Sequence, residues 1–357
     1  MPEYKPIITD AMNEIILIDS RLSALEKRME MLENQAPGRT AGHRPGRTVL
    51  ECVDEFMSMQ SGLCQWAEGT VRAFRVLRGH LEAFGAELEM DFFDREGLDR
   101  WLTWLRDKGL EESTARKMYQ LLRWFLLWAV KAGYVADEGI KDYRPKFKIV
   151  SKPVIYLNSE ELARLYRLEI PADVPVGTAE TLAAVRDGFC LCAFTSLRYS
   201  DLARLRKTDV DGDLLWITTQ KTNDRLPIDL GVQAKEILAR YRHRPGSKAI
   251  PVVSNQKMNI YIKVLCRLCG IDTPVTRVCF RHGRREEVTL PKWALVGTHA
   301  ARRTFICYAL ESGIPPQVVM KWTGHADYKS MRPYIDIAQK TKADAMHRLS
   351  ARWEAVL

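Results

Sequence analysis

Between residues 48 and 135, apolar side chains recur at helical spacing almost without interruption. Val49, Cys52, Val53 and Phe56 begin one stripe, Val71, Phe74, Leu77, Leu81 and Phe84 make a second, and Leu98, Trp101, Leu102 and Leu105 a third. Steps of three and four place each set on one face of an α-helix. A fourth stripe runs through Met118, Leu121, Leu122, Phe125, Leu126 and Ala129. Ser113 or Thr114 stands where its N-cap belongs, and Gly133 lies just past its end. Four one-faced helices in this length predict a small bundle. Upstream, Ile15, Ile18, Leu22, Leu25, Met29 and Leu32 alternate steps of three and four, the a/d seam of a short coiled-coil-like helix over residues 1–35. That helix either pairs with a second copy or packs on its own protein. Pro37 and Gly38 end it.

The pattern changes after the bundle. Residues 136–153 have no clear period, hold two prolines and several bases, and read as a linker to a second domain over 154–357. There, Asn158 or Ser159 caps a helix with acids in its first turn, and an apolar helix follows over 182–195. The runs LLWITTQKT and RLPIDL flank Asn223 and Asp224, which predicts a β-hairpin. Helices are expected at 232–241 and 255–269. Residues 274–296 alternate and turn at His282–Gly283, as a second hairpin or an extended loop. The fold class is therefore mainly α with a small β-hairpin sheet in the second domain.

Charge adds a partner class. Lys and Arg number 54 against 45 Asp and Glu, a net charge of +9, which favours a polyanion, nucleic acid first. Residues 36–47 (APGRTAGHRPGR) carry no acid and read as a basic linker. The eight cysteines are scattered, and the Cys266–Cys269 pair has no second pair at zinc spacing, so neither metal nor disulfide is expected. No secretory signal and no apolar run near the ~20 residues of a membrane span is visible, which points to the cytoplasm and away from a membrane.

Candidate chemistry concentrates in residues 297–337, GTHAARRTFICYALESGIPPQVVMKWTGHADYKSMRPYIDI. His299 and Arg302 stand at i and i+3 on a helix whose cap is read as Thr298, so both share one face. Arg303 projects elsewhere and reads as structural or as a backbone contact. A helix opened by Pro315 and Pro316 leads to Gly324-His325, and Tyr334 follows nine residues after that histidine. Pro333 predicts a chain break at Arg332–Pro333, with Tyr334 in the first turn of a new helix behind a mobile loop over 326–332.

In this order near the C-terminus, these residues resemble the active site of tyrosine recombinases, the phage-type integrases. The run TSLRYSDLARL resembles that family's first arginine box, with Arg198 as its arginine, Ser196 where glycine is common, and Ser200 as N-cap of the next helix. Lys221, in TTQKTNDRLPI, stands where the family carries a hairpin lysine, with Lys207 as its competitor. Residues 48–135 resemble the core-binding (SAM-like) domain. The resemblance implies a two-lobed DNA clamp that cuts and rejoins DNA without a cofactor. Tyr334 would be the nucleophile, forming a covalent 3′-phosphotyrosine, with Tyr328 as its rival. A phenol suits this because its phosphodiester keeps the bond energy for a returning hydroxyl. Arg198 and Arg302 would grip phosphate oxygens with their planar forks. His299 and His325 would orient the phosphate and move protons, and Lys221 would protonate the leaving oxygen.

The implied partners are a double-stranded recombination site and a tetramer of this chain on two such sites, exchanging strands through a Holliday junction. The final segment, with Ile337, Met346, Leu349 and Trp353, either docks into a neighbouring protomer or packs on its own domain. An integrase or excisionase of a mobile element, or an inversion enzyme, fits best. A chromosome-dimer resolvase, a hairpin telomere resolvase, a type IB topoisomerase-like enzyme and an inactive DNA-binding architectural factor are the alternatives. The last is opposed by the full set of Arg198, Lys221, His299, Arg302, His325 and Tyr334.

Overall fold

The computed structural model describes residues 46–136, 139–172, 174–218, 225–325 and 327–338, with Ser350 and Trp353. The N-terminal heptad segment, most of the 36–47 linker, Lys221 and most of the tail lie outside the described residues. Two compact units emerge. One contains residues up to 152 together with 277–288, and the other contains 153–276 and 289 onward.

In the first unit the four stripes become α1 (Val49–Leu63), α2 (Glu68–Phe84), α3 (Arg95–Asp107) and α4 (Glu112–Ala132). Thr48 and Glu51 close a reciprocal capping box that starts α1. Phe56 of α1 sits at the centre of the core. The rings of Trp66, Phe74, Trp124, Phe125 and Trp128 surround it at centroid distances of 5.2–5.9 Å, largely edge-on, the arrangement aromatic quadrupoles favour. Gly133 ends α4 in the left-handed region, at φ 77°. The start of α4 differs from expectation. Its N-cap is Glu111, without a side-chain cap, and Ser113 and Thr114 lie inside the first turn. The Glu111 carboxylate is engaged elsewhere, by Lys152 at 3.1 Å, Arg281 at 3.4 Å and Arg277 at 3.7 Å. Burial opposes its charge, but the three cations outweigh burial and hold the carboxyl below its usual range.

The second unit is built on α6 (Val176–Thr195), which follows α5 (Ser159–Arg167). Asn158 caps α5 in a capping box with Glu161. Leu182, Val185, Phe189, Cys190, Leu191 and Cys192 are all buried, so α6 is apolar around most of its girth, as a central core helix must be. A four-residue α7 (Tyr199–Leu202) comes next. Strands β1 (Val210–Asp211), β2 (Leu214–Thr218) and β3 (Arg225–Asp229) form an antiparallel sheet in the order β1-β2-β3, with Leu215 opposite Ile228. The hairpin of β2 and β3 was legible in the sequence; the short β1 was not. Helices α8 (Val232–Arg240) and α9 (Asn255–Leu268) follow.

Residues 274–296 resolve into a hairpin and a short helix: β4 (Pro274–Arg281), β5 (Arg284–Pro291) and α10 (Lys292–Leu295). Its turn uses His282 at φ 47° and Gly283 at φ 70°, the positive-φ pair a two-residue hairpin turn requires. The hairpin's base is stapled shut. Lys292 N–H donates to Thr273 O at 2.9 Å, and Trp293 N–H donates to Ile271 O at 2.8 Å.

Three helices complete the unit: α11 (Thr298–Glu311), α12 (Pro316–Thr323) and α13 (Arg332–Ala338). The buried small residues Ala300 and Ala301 let α11 pack closely on α6. A satellite core of Ile306, Cys307, Ala309, Leu310, Val319 and Met331 holds Tyr334. Two local expectations shift here. Gly297 is the N-cap of α11, and Thr298 is its first helical residue. Helix α13 starts at Arg332, so the break falls one step earlier, at Met331, after a 3-10 turn over Tyr328–Ser330. Pro333 is tolerated because the N–H it lacks is one that a first helical turn leaves unpaired anyway.

Candidate active site

The residues singled out in the sequence lie at the joints around α11. Arg198 is the N-cap of the short α7, with extended angles of φ −77° and ψ 154°. Ser200, expected as that cap, lies within the helix. His299 and Arg302 lie in the first turns of α11, His325 just past the end of α12, and Tyr334 early in α13.

Electrostatic coupling reports which of them meet. The Arg302 guanidinium feels Arg198 and Tyr334, and the His299 ring feels Arg302, Arg198 and His325. Five of the six sequence candidates are thus linked electrostatically. Lys221 lies outside the described residues. Its competitor Lys207 donates from Nζ to the carbonyl of Arg244. Tyr328, the rival phenol, is 52% exposed, whereas Tyr334 is 9% exposed and acts on Arg302.

Arg302 is 4% exposed and is set by backbone. Nη1 donates to Ser196 O at 2.9 Å, and Nη2 donates to the carbonyl of Thr323. A guanidinium carries five N–H donors, so three remain for an incoming anion. Burial first, then the like charge of Arg198, pushes the Arg302 pKa down; Asp201 opposes them. The buried Arg302 and the half-buried Arg198, which acts on it, offer two planar forks to one anion.

The imidazoles differ in their support. Burial, then Arg303, Arg302, Arg198 and the His325 ring, pushes His299 well below the usual imidazole range. It is therefore neutral near pH 7 and able to accept a proton. The Thr323 hydroxyl donates its one proton to Val319 O at 2.7 Å, so at 2.5 Å it accepts from His325 Nδ1. That fixes the tautomer with Nδ1 protonated and leaves Nε2 as the acceptor.

Several supporting residues escaped sequence reading. Asp201 is buried and acts on Arg302; its position three residues after Arg198 was the available clue. Ser196 takes φ 60° at the end of α6, the left-handed angle that explains why glycine suits this position. Asn259 of α9 accepts the Thr298 N–H at 2.9 Å, and Asn255 accepts the Thr298 hydroxyl at 3.1 Å, so α9 supplies the cap that α11 lacks. Nothing local in the sequence marks that bridge. Among the described residues, no His, Cys, Asp and Glu group is placed to hold a metal, and no helix is long and apolar enough to cross a membrane.

Two guanidiniums, two imidazoles and a phenol linked in this way are the groups that phosphoryl transfer to a phenol calls for, and the unit that carries them is mainly helical. Residues 157–341 match the phage integrase family, and residues 48–149 match the phage integrase SAM-like domain. The chain belongs to the phage integrase family, the tyrosine recombinases. Its enzymatic class is site-specific recombination through a phosphotyrosine intermediate. It is similar to Tyrosine recombinase XerC of Xylella fastidiosa, 24% identical over 314 residues, covering 85% of this chain and 98% of that protein. Tyrosine recombinase XerD of Staphylococcus saprophyticus is 22% identical over 302 residues, covering 82% and 95%. In fold it is similar to lambda integrase residues 75–356, solved as a dimer bound to a COC' core site, with TM-score 0.63 and 15% identity over 81% of this chain and 95% of that one. The Tn1549 transposon integrase, solved with circular intermediate DNA, has TM-score 0.58 and 15% identity over 81% and 95%.

Proposed function

We propose that Tyr334 is the nucleophile of this recombinase and that Arg198, Arg302, His299, His325 and Lys221 serve the phosphate it attacks. The observation that carries this reading is that Tyr334 and Arg198 act on the buried Arg302, while Arg302, Arg198 and His325 act on His299. The phenol attacks a backbone phosphorus, the 5′ oxygen leaves, and a 3′-phosphotyrosine forms. The two guanidiniums stabilise the charge that grows on the equatorial oxygens. Neutral His299 and the Nε2 of His325 accept and return the phenolic proton. Lys221 is assigned to the leaving oxygen on the family resemblance.

The substrate in this reading is double-stranded DNA bearing a recombination site. The helical lobe over 48–135 and the catalytic lobe over 154–357 close on the duplex, joined by 136–153. Four protomers pair two sites and exchange strands through a Holliday junction. A lambda integrase tetramer has been solved on a Holliday junction, and this chain has its fold, with TM-score 0.60. We assign the protein to the cytoplasm, and to integration, excision or inversion by a mobile element. The test is a nicked suicide duplex built from sequence flanking the protein's own gene. Wild type and Tyr328→Phe form a covalent adduct, Tyr334→Phe forms none, and the linked peptide carries Tyr334. Attachment at Tyr328, or no attachment, overturns the reading.

A further inference from the structure

Arg303 is the conspicuous charge that this mechanism leaves idle. It follows Arg302 on α11 and lies four residues after His299. At 3.6 residues per turn, Arg302 projects about 60° to one side of His299 and Arg303 about 40° to the other. The two arginines therefore bracket the imidazole and do not duplicate each other. Arg303 acts on the His299 ring together with Arg302 and Arg198, as an i, i+4 neighbour on one helix face can.

The two arginines are also treated differently by the protein. The fork of Arg302 is set by Ser196 and Thr323 carbonyls. Arg303 is only half-buried, its Nε is sealed from water without a hydrogen-bond partner, and it makes no ion pair or hydrogen bond with any described residue. By contrast, the half-buried Arg186 of α6 pairs with Asp187 at 2.8 Å. A guanidinium partly stripped of water and given no counter-ion destabilises the free protein, and an anion from outside the chain relieves that cost.

We propose that Arg303 is a third phosphate-binding arginine of this site, holding the DNA backbone phosphate next to the one gripped by Arg198 and Arg302, from the far side of His299. This rests on the recombinase reading and adds a residue to it. The second phosphate fixes where the strand lies along α11, so that the scissile phosphorus meets Tyr334 in line. Arg303 also helps keep His299 neutral, together with Arg302, Arg198 and His325 around the same ring.

The test compares wild type, Arg303→Lys and Arg303→Gln on the nicked duplex, with and without a neutral methylphosphonate at the flanking phosphate. The methylphosphonate weakens wild-type binding about tenfold, as loss of one charge-assisted contact should, and leaves Arg303→Gln unaffected. In Arg303→Gln the slope of log affinity on log salt falls by about 0.9, the share of one phosphate. The acid limb of its adduct rate moves to higher pH, because His299 protonates more easily. Arg303→Lys keeps the slope and the limb. The wild-type comparison needs no variant, so a poorly folding Arg303→Gln leaves the test intact. Equal methylphosphonate penalties in wild type and Arg303→Gln, an unchanged salt slope, or no penalty in wild type overturn the role of Arg303 alone. A wild type that forms no adduct overturns the recombinase reading with it.

Discussion

Arg302 donates from Nη1 to the carbonyl of Ser196 at 2.9 Å, so the arginine of the His-x-x-Arg motif is aimed by the residue two positions before Arg198. One backbone corner therefore sets both cations. To present that carbonyl, Ser196 holds φ 60°, and its buried hydroxyl finds no partner among the described residues. The left-handed angle costs a non-glycine residue roughly 1–2 kcal/mol, partly offset because glycine has more unfolded entropy to lose, about 0.5–1 kcal/mol. Ser196→Gly is expected to stabilise the protein by about 1 kcal/mol, read as a higher urea midpoint at constant slope. A lower midpoint would contradict strain at this corner.

Thr323 orients His325. Replacing it with valine keeps the shape and removes the acceptor for Nδ1–H. The imidazole is then free to take either tautomer, and single-turnover adduct formation should slow by about five- to tenfold, the worth of one hydrogen bond of ~1 kcal/mol. Nitrogen chemical shifts of the His325 ring should report mixed tautomers in Thr323→Val and a single one in wild type.

His299 makes stability depend on pH. Its folded pKa lies below the unfolded value of about 6.5. Between those two values the unfolded chain binds a proton that the folded chain refuses, so stability rises with pH through this window and falls on acidification below about 6.5. His299→Gln should lose that part of the acid sensitivity. Urea midpoints between about pH 7 and pH 5 measure it, and identical slopes for both proteins would show that His299 does not titrate this way.

Asn259 caps a helix to which it does not belong. Its Oδ1 accepts from Thr298 N–H at 2.9 Å, and its Nδ2 donates to Asn255 O at 2.9 Å. Asn259→Ala should cost about 1–2 kcal/mol, the range for a lost N-cap at a buried position. Because His299 is the next residue along α11, adduct formation should slow as well. Equilibrium unfolding and the suicide substrate test the two effects separately.

What could be read without coordinates was the part written in single segments. The stripes ending at Phe56, Phe84, Leu105 and Ala129 are core faces because periodicity is a local property; Phe56, Leu105 and Ala129 are buried, and Phe84 packs partly buried against the same core. The motif residues other than Lys221 meet around α11. Helix starts were less legible. Thr298, Ser200 and Ser113 are all good capping residues by type, yet the caps are Gly297, Arg198 and Glu111. In the first case a tertiary contact intervenes: Asn259, some forty positions upstream, accepts the N–H of Thr298 itself, one of the donors a helix start leaves unpaired. Proline at 333 marked the start of a new helix to within one residue, since the first turn of α13 has no need of its missing donor.

The stapled base of the β4–β5 hairpin has a mechanical consequence. Ile271 and Thr273 are tied directly to Trp293 and Lys292, while Asn255 and Asn259 of α9 hold Thr298 of α11, so the path between those helices is closed before the strands begin. The strands therefore form a loop closed at its own base, and that base opens only when these hydrogen bonds break.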